Sequence, residues 1–138
     1  MSSPAPVRHR PTAALWVLRL LGAALLLAIA GIHLYLWQQG YRDIDVIGPS
    51  FLLQSAIAIG GALLVLIAPR RLLPVAAVLG ALFCLGSLGA LVLSTTVGLF
   101  GFVESTQADW YWETVWIEVA GTVVLAALAF LAARRRST

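Results

Sequence analysis

Apolar residues form four long runs that are separated by short polar connections. The runs cover residues 13–37, 48–68, 72–100 and 110–133. A bilayer core of about 30 Å needs roughly 20 helical residues at about 1.5 Å each, so every run is long enough to cross a membrane. The pattern predicts an all-α membrane protein, an antiparallel bundle of four transmembrane helices joined by short loops.

Tryptophans lie near the ends of these runs. Tryptophan prefers the boundary between hydrocarbon and headgroups, because its ring is apolar and its N–H is polar. We expect five of them to be interfacial anchors: Trp16, Trp37, Trp110, Trp112 and Trp116. Three arginines, at residues 134–136, mark the other end of the fourth span.

The two ends of the chain differ from the spans. Residues 1–12 contain three prolines and no apolar periodicity, which predicts a disordered cytoplasmic tail; residues 134–138 form a basic cytoplasmic tail, and residues 13–133 form one domain. An alternative for residues 1–30 is a cleaved signal peptide, since a basic start and an apolar core precede Ala28-Ile29-Ala30. The apolar run continues to Trp37, which favours a span.

Composition and charge limit the possible functions. Hydrophobic residues make up 61% of the chain and charged residues 11%, against about a quarter in soluble domains, so there is no room for a soluble catalytic domain. All nine basic residues are arginines; seven lie in the tails and at residues 70–71, whereas the first and third loops hold one arginine and five acids. This asymmetry predicts a bacterial-type plasma-membrane protein with both termini cytoplasmic and no nucleic-acid partner.

Each span carries polar residues at a similar depth. Counting inward from the interfacial anchors at about 1.5 Å per residue places them roughly 6 to 9 Å below the outer boundary. They form a candidate polar or ligand site: His33, Gln54, Thr95, Thr96 and Glu118.

Two interpretations of this polar layer remain open. It is either a set of interhelical hydrogen bonds, each worth about 0.6 to 2 kcal/mol, or a ligand or proton site open to the outside. In the second case Glu118 is the titrating acid and His33 its partner.

Small residues recur every fourth position in the third span. Gly86, Ala90, Ser94 and Gly98 form a candidate helix-packing interface, because small side chains permit close approach of helices. Glycine and alanine are also simply common in membrane helices, so chance is the alternative explanation.

Other chemistry is sparse. The single cysteine, Cys84, has no partner within the chain, and His9 lies in the tail, where we expect it to be solvated. One intramembrane histidine does not supply both axial ligands of a b-type haem. Phosphate loops, zinc spacings and nucleophile elbows are absent from the sequence, so we expect no catalytic residue, metal or cofactor.

The segment AGIHLYLW, followed by a short loop and IGPSFLLQSAIAIGGALLVL, resembles the first half of DoxX-like proteins. These are small bacterial four-helix membrane proteins, some of them linked to quinone redox systems. The resemblance covers residues 22–68 and implies an accessory membrane protein, with no functional residue carried over.

The resulting functional prediction is a non-enzymatic accessory or scaffold subunit of a membrane complex. Its partners would be the lipid bilayer and a second copy or another membrane protein, since the chain offers little besides helix faces and short loops. The alternative is a small transporter or proton-linked ligand-binding protein that uses the polar layer around Glu118 and His33, with the ligand unknown.

Overall fold

A computed structural model describes residues 12–136 and contains four α-helices. They are α1 (Thr12–Gln38), α2 (Ile47–Ile67), α3 (Leu73–Thr96) and α4 (Tyr111–Arg134), with a 3₁₀ turn at Tyr41–Asp43 between α1 and α2. All four are long and apolar enough to cross a membrane. The prediction of an all-α bundle of four transmembrane helices is confirmed, and the chain is a small integral membrane protein. The tail at residues 1–11, including His9, and residues 137–138 lie outside the described residues.

The helices form a closed ring in which consecutive helices are antiparallel. α1 packs against α2 and α4, and α3 packs extensively against α4 and more sparsely against α2. The start of α1, the α2–α3 connection and the end of α4 therefore share one end of the bundle, the termini end. The α1–α2 and α3–α4 connections share the opposite end, the loop end.

Apolar side chains fill the middle of the bundle and the half towards the termini end. Leu26, Leu125 and Leu128 are fully buried there. Glycines bring the helices close together: a Cβ at Gly121 would lie 2.8 Å from Cys84 Sγ, and one at Gly22 would lie 2.7 Å from a Leu125 methyl carbon. This half of the bundle is an apolar core to which all four helices contribute side chains.

Arg19 joins α1 to the end of α2. Its guanidinium donates hydrogen bonds to Leu66 O at 3.0 Å and to Ala68 O at 2.9 Å, and lies 5.0 Å from the centre of the Trp16 ring. The last carbonyls of a helix lack intrahelical donors and attract positive charge. Arg19 is therefore only 7% exposed although it is an arginine in an apolar span.

The third helix ends at Thr96, four residues before the boundary predicted from hydropathy. Gly98 has φ +84°, and its N–H bonds to Leu93 O at 2.9 Å, which closes the helix. Leu99 and Phe102 then exchange two backbone hydrogen bonds across a tight turn in which Phe100 and Gly101 both have positive φ. Residues 97–100 are apolar but belong to the loop.

Candidate functional site

A cavity of about 80 Å³ lies at the loop end, between the four helices and the two connections. A cavity needs about 10 to 15 Å³ of such space to hold one water, so this one has room for several waters or a small ligand group. The polar and aromatic residues that line it come from every helix and from both connections: His33, Tyr41, Ser50, Phe51, Gln54, Ser87, Ser94, Phe102, Glu104, Asp109, Trp110, Tyr111, Thr114 and Glu118.

Helix α4 supplies the acid of the cavity. Glu118 is 0% exposed, and its Oε1 lies 2.5 Å from Ser87 Oγ on α3. Its Oε2 is buried and has no hydrogen-bond partner in the part of the chain that the structure describes. Leaving a buried polar atom unpaired costs about 1 to 3 kcal/mol, so this oxygen is the most unusual polar atom of the site.

Ser87 connects Glu118 to helix α2. Its Oγ lies 2.7 Å from Gln54 Oε1 as well as 2.5 Å from Glu118 Oε1, but a hydroxyl carries only one proton. If Glu118 is protonated, its carboxyl O–H donates to Ser87 and Ser87 donates to Gln54, so both contacts become hydrogen bonds. If Glu118 is ionised, one of the two contacts lacks a proton. With the Gln54 oxygen turned towards Ser87, the arrangement fits a neutral carboxyl.

Helix α1 contributes His33, which is 5% exposed. Its Nδ1 lies 2.9 Å from Ile29 O, and because a carbonyl only accepts, Nδ1 carries the proton. This leaves Nε2 as the acceptor of the neutral ring. The expected pairing of His33 with Glu118 is not observed: within residues 12–136 neither a hydrogen bond nor an ion pair joins them, although both line the cavity.

Aromatic rings form one wall of the cavity. Phe51 on α2 stacks on Tyr41 at 5.0 Å between ring centres, and its ring meets His33 edge-on at 4.9 Å. Tyr41 in turn meets Phe102 edge-on at 6.0 Å. The cluster links α1, α2 and both connections. Trp110 and Tyr111 line the cavity from the start of α4.

The mouth of the cavity is acidic. Tyr41 donates a hydrogen bond to Glu104 Oε2 at 2.7 Å, and the Glu104 N–H bonds to Ser94 O at 2.9 Å, which ties the α3–α4 connection to α3. Burial, then the hydrogen bond to Glu104 and the charges of Glu104 and Asp109, raise the pKa of Tyr41 well above its ordinary value. Tyr41 therefore remains a donor, and Asp109 lies exposed at the rim.

The structure brings together three of the five predicted site residues and leaves two outside. His33, Gln54 and Glu118 line the cavity. Thr95 and Thr96 do not: their hydroxyls bond to Val92 O, one turn back along α3, at 3.0 and 2.8 Å. Both lie at a suitable depth but on other faces of the helix.

The predicted packing stripe does not follow one face of α3. Each step of four residues turns the helix by about 40° beyond a full turn, since α-helices have about 3.6 residues per turn. Gly86 is exposed with nothing within 4 Å of a Cβ, Ala90 and Ser94 line the cavity, and Gly98 lies beyond the helix. The stripe therefore does not form a single contact within this chain.

The predicted interfacial tryptophans lie on the surface of the bundle. Trp16, Trp110, Trp112 and Trp116 are 45 to 66% exposed. Trp37 is half-buried near the end of α1. Trp110 also has a positive φ, 65°, at the start of α4, and lines the cavity.

Sequence reasoning missed Ser87, Tyr41 and Glu104. Ser87 and Ser94 are seven residues apart, which places them on one helix face and is the signal that identifies the polar side of α3. Tyr41 and Glu104 lie in different connections, and nothing in the sequence pairs them. Residues 12–136 contain no group of three or more His, Cys, Asp or Glu side chains arranged to hold a metal ion.

Comparison with protein-family models, curated proteins and solved structures found no match to this chain.

Proposed function

We propose that the protein binds a ligand in the cavity at the loop end and exchanges a proton at Glu118 as it does so. The observation that carries this proposal is Glu118 Oε2, a fully buried oxygen of a residue in the cavity wall, which has no hydrogen-bond partner in the described chain. It corresponds to the second of the two functions that the sequence suggests, a proton-linked binding protein or small transporter, and it remains non-enzymatic.

Other buried polar side chains differ from Glu118, which argues against a purely structural role. The Ser55 hydroxyl lies within hydrogen-bond distance of Ala30 O and Phe51 O, and the Thr114 hydroxyl donates to Trp110 O. Ser55 and Thr114 are thus bonded to backbone carbonyls, whereas Glu118, a residue of the cavity wall, has one oxygen without a partner in the described chain. A free acceptor or donor at a cavity is what a ligand requires.

Among residues 12–136, no arginine or lysine lines the cavity to compensate an ionised Glu118. The titratable groups around the cavity or close to Glu118 are neutral or acidic when His33 is neutral: His33 on α1, Tyr41, Glu104 and Asp109 in the connections, Cys84 on α3 and Tyr111 on α4. Helix α2 contributes Gln54, which does not titrate. An uncompensated buried carboxylate costs several kcal/mol, so ligand binding and deprotonation are expected to be coupled.

The test is infrared titration of the purified full-length protein in detergent. We expect the band of a protonated carboxyl at mildly acidic pH and its loss as the pH rises. Glu118→Gln should remove the band and leave the thermal unfolding temperature nearly unchanged, because the amide retains the shape and can bond to Ser87. Glu113→Gln is the matched control, since Glu113 is an exposed acid on the same helix.

A titrating carboxyl band that persists in Glu118→Gln would contradict the proposal, as would a wild-type protein with no such band at any pH. Glu118→Leu removes both shape and hydrogen bonding. If Glu118→Gln unfolds as readily as Glu118→Leu, the residue is held by a specific structural partner and the proposal fails.

The scaffold function predicted from the sequence is the second candidate, and one observation favours it. Gly86 and Gly89 are exposed on α3, and a Cβ at either would meet nothing within 4 Å. Small residues on a lipid-facing surface permit close approach of a second helix, here one from a second copy of the chain. The resemblance of residues 22–68 to DoxX-like proteins also favours an accessory role.

Gly86→Leu tests the scaffold hypothesis without disturbing the bundle, because the added side chain enters open space. We expect it to weaken self-association in a bilayer by tenfold or more, measured by energy transfer between labelled copies, at an unchanged unfolding temperature. Leu85→Ala, on the adjacent exposed position, is the control for surface area. Monomeric wild-type protein in this assay would exclude the second copy as partner.

A further inference from the structure

We propose that the ligand of the cavity is a small organic cation, the ammonium group of an amine or a quaternary amine. The ligand class rests on the proposed function, because it names what the proton at Glu118 is exchanged for. Four features of the cavity support it: the sign of its charges, its free hydrogen-bonding atoms, its aromatic wall and its size.

The charges that line the cavity are of one sign. Glu104, Asp109 and Glu118 carry three carboxyl groups, and among the described lining residues none is Arg or Lys. The nearest arginine in sequence, Arg42, is exposed and lies 3.7 Å from Asp43 Oδ2. An anion would meet these carboxyl groups without a compensating cation, whereas a cation is attracted by Glu104 and Asp109 and pairs with Glu118 once that group has lost its proton.

The free hydrogen-bonding atoms of the cavity are mostly acceptors. Glu118 Oε2 has no partner, and His33 Nε2 remains an acceptor because Nδ1 donates to Ile29 O. The Tyr41 hydroxyl already donates to Glu104. A ligand that brings positive N–H or N⁺–CH groups therefore fits the cavity better than one that brings carbonyl or phosphate oxygens.

Aromatic side chains line the same space. Tyr41, Phe51, Phe102, Trp110 and Tyr111 come from four parts of the chain: both connections, α2 and the start of α4. A cation held against an aromatic face gains about two- to thirtyfold in affinity per well-placed ring, and cages of this kind are suited to quaternary ammonium groups. Aliphatic side chains would give no such preference for a cation over a neutral ligand of the same shape.

The size of the cavity and the proton balance define the binding event. About 80 Å³ accommodates a head group of a few heavy atoms, with longer substituents leaving past Glu104 and Asp109. On binding, the O–H bond of the Glu118 carboxyl breaks, the carboxylate pairs with the ammonium ion, and the proton leaves through the mouth to water. No covalent bond to the ligand forms. The ammonium ion enters and a proton leaves, so the net charge in the cavity does not change.

Choline and 3,3-dimethylbutan-1-ol test this inference directly, because they have the same shape and differ in a charged nitrogen or a neutral carbon. We expect calorimetry on the purified full-length protein to show choline binding at least tenfold tighter than the neutral alcohol. While Glu118 is protonated in the free protein, choline affinity should rise about tenfold per pH unit, with one proton released per choline bound.

Variants separate the acid from the aromatic wall. Glu118→Gln should lose the pH dependence and weaken choline binding at least tenfold, whereas Glu113→Gln should leave both unchanged. Phe51→Leu should weaken choline binding about two- to thirtyfold while proton release stays at one. Phe130→Leu is its matched control, because Phe130 is exposed near the termini end and does not line the cavity.

Equal binding of choline and the alcohol, or binding of neither, overturns the cation inference. The infrared titration distinguishes this failure from failure of the proposed function: if the Glu118 band titrates but choline does not bind, only the ligand class is wrong. If the band is absent and choline binds Glu118→Gln as well as wild type, the cation binds elsewhere and both proposals are wrong.

Discussion

Ser87 is the residue on which the behaviour of Glu118 depends. Its single hydroxyl proton is shared between two oxygens, Gln54 Oε1 at 2.7 Å and Glu118 Oε1 at 2.5 Å. When Glu118 is protonated, its O–H donates to Ser87 and Ser87 donates to Gln54. When Glu118 has lost this proton, Ser87 can donate to only one of the two oxygens. Ligand binding at Glu118 Oε2 is thereby linked to the contact between α2 and α3, the sparsest interface of the ring.

Replacing Ser87 with alanine should destabilise the protein by about 1 to 3 kcal/mol, because Glu118 is then left without a partner at either oxygen. Chemical unfolding in detergent, followed by circular dichroism, measures the change. Thr96→Ala is the control: it also removes a hydroxyl from α3, but one that bonds only to the backbone of its own helix at the surface. Equal costs for the two substitutions would mean that the Ser87 network contributes nothing.

At the residue scale, the sequence predicts how deep a residue lies along its helix but not which face of the helix it occupies. Counting from the helix ends places Glu118, His33 and Gln54 in one layer, and all three line the cavity. Thr95 and Thr96 have a similar depth and lie outside it, since position along the axis says nothing about which face a residue occupies. The sequence also predicts a pairing of His33 with Glu118 that the described residues do not form: His33 Nδ1 bonds instead to Ile29 O, a local contact that counting depth does not reveal.

At the scale of helices, hydropathy locates the four spans and misplaces one end. The boundaries of α1, α2 and α4 differ from the predicted ones by one residue at each end, whereas α3 stops four residues early. Its last predicted residues remain apolar, so hydropathy extends the span. The helix ends early because two glycines with positive φ, Gly98 and Gly101, allow the chain to turn into the loop that bounds the cavity.

Glycines at helix contacts set how closely α4 approaches its neighbours. Gly121→Ala would place a Cβ 2.8 Å from the buried Cys84 Sγ, so we expect a loss of about 1 to 3 kcal/mol from overpacking. Gly86→Ala is the matched control, because its Cβ meets nothing and alanine favours helix. Thermal unfolding of the two variants should move in opposite directions; a stabilised Gly121→Ala would show that α4 and α3 are not in close contact there.

The molecule as a whole is asymmetric from one end to the other. The half towards the termini end has an apolar core, with Leu26, Leu125 and Leu128 fully buried, and the loop end has the polar cavity. Charge follows the same division: arginines 70, 71 and 134–136 lie at the termini end, and five acids lie in the connections or first helical turn at the loop end. A ligand can therefore enter the cavity from the loop end without crossing the apolar half of the bundle. Transport of that ligand across the membrane would require the apolar half to open.

The charge division predicts that the cavity faces away from the cytoplasm, since segments rich in arginine are retained inside. Single cysteines at Gln107 and Arg71 test this in intact cells with a membrane-impermeant maleimide. Both positions are exposed, and the native Cys84 is fully buried and should not react. We expect Gln107→Cys to be labelled directly and Arg71→Cys only after permeabilisation. The reverse pattern would place the cavity on the cytoplasmic side, so that Glu118 would exchange its proton with the cytoplasm while the binding chemistry stayed the same.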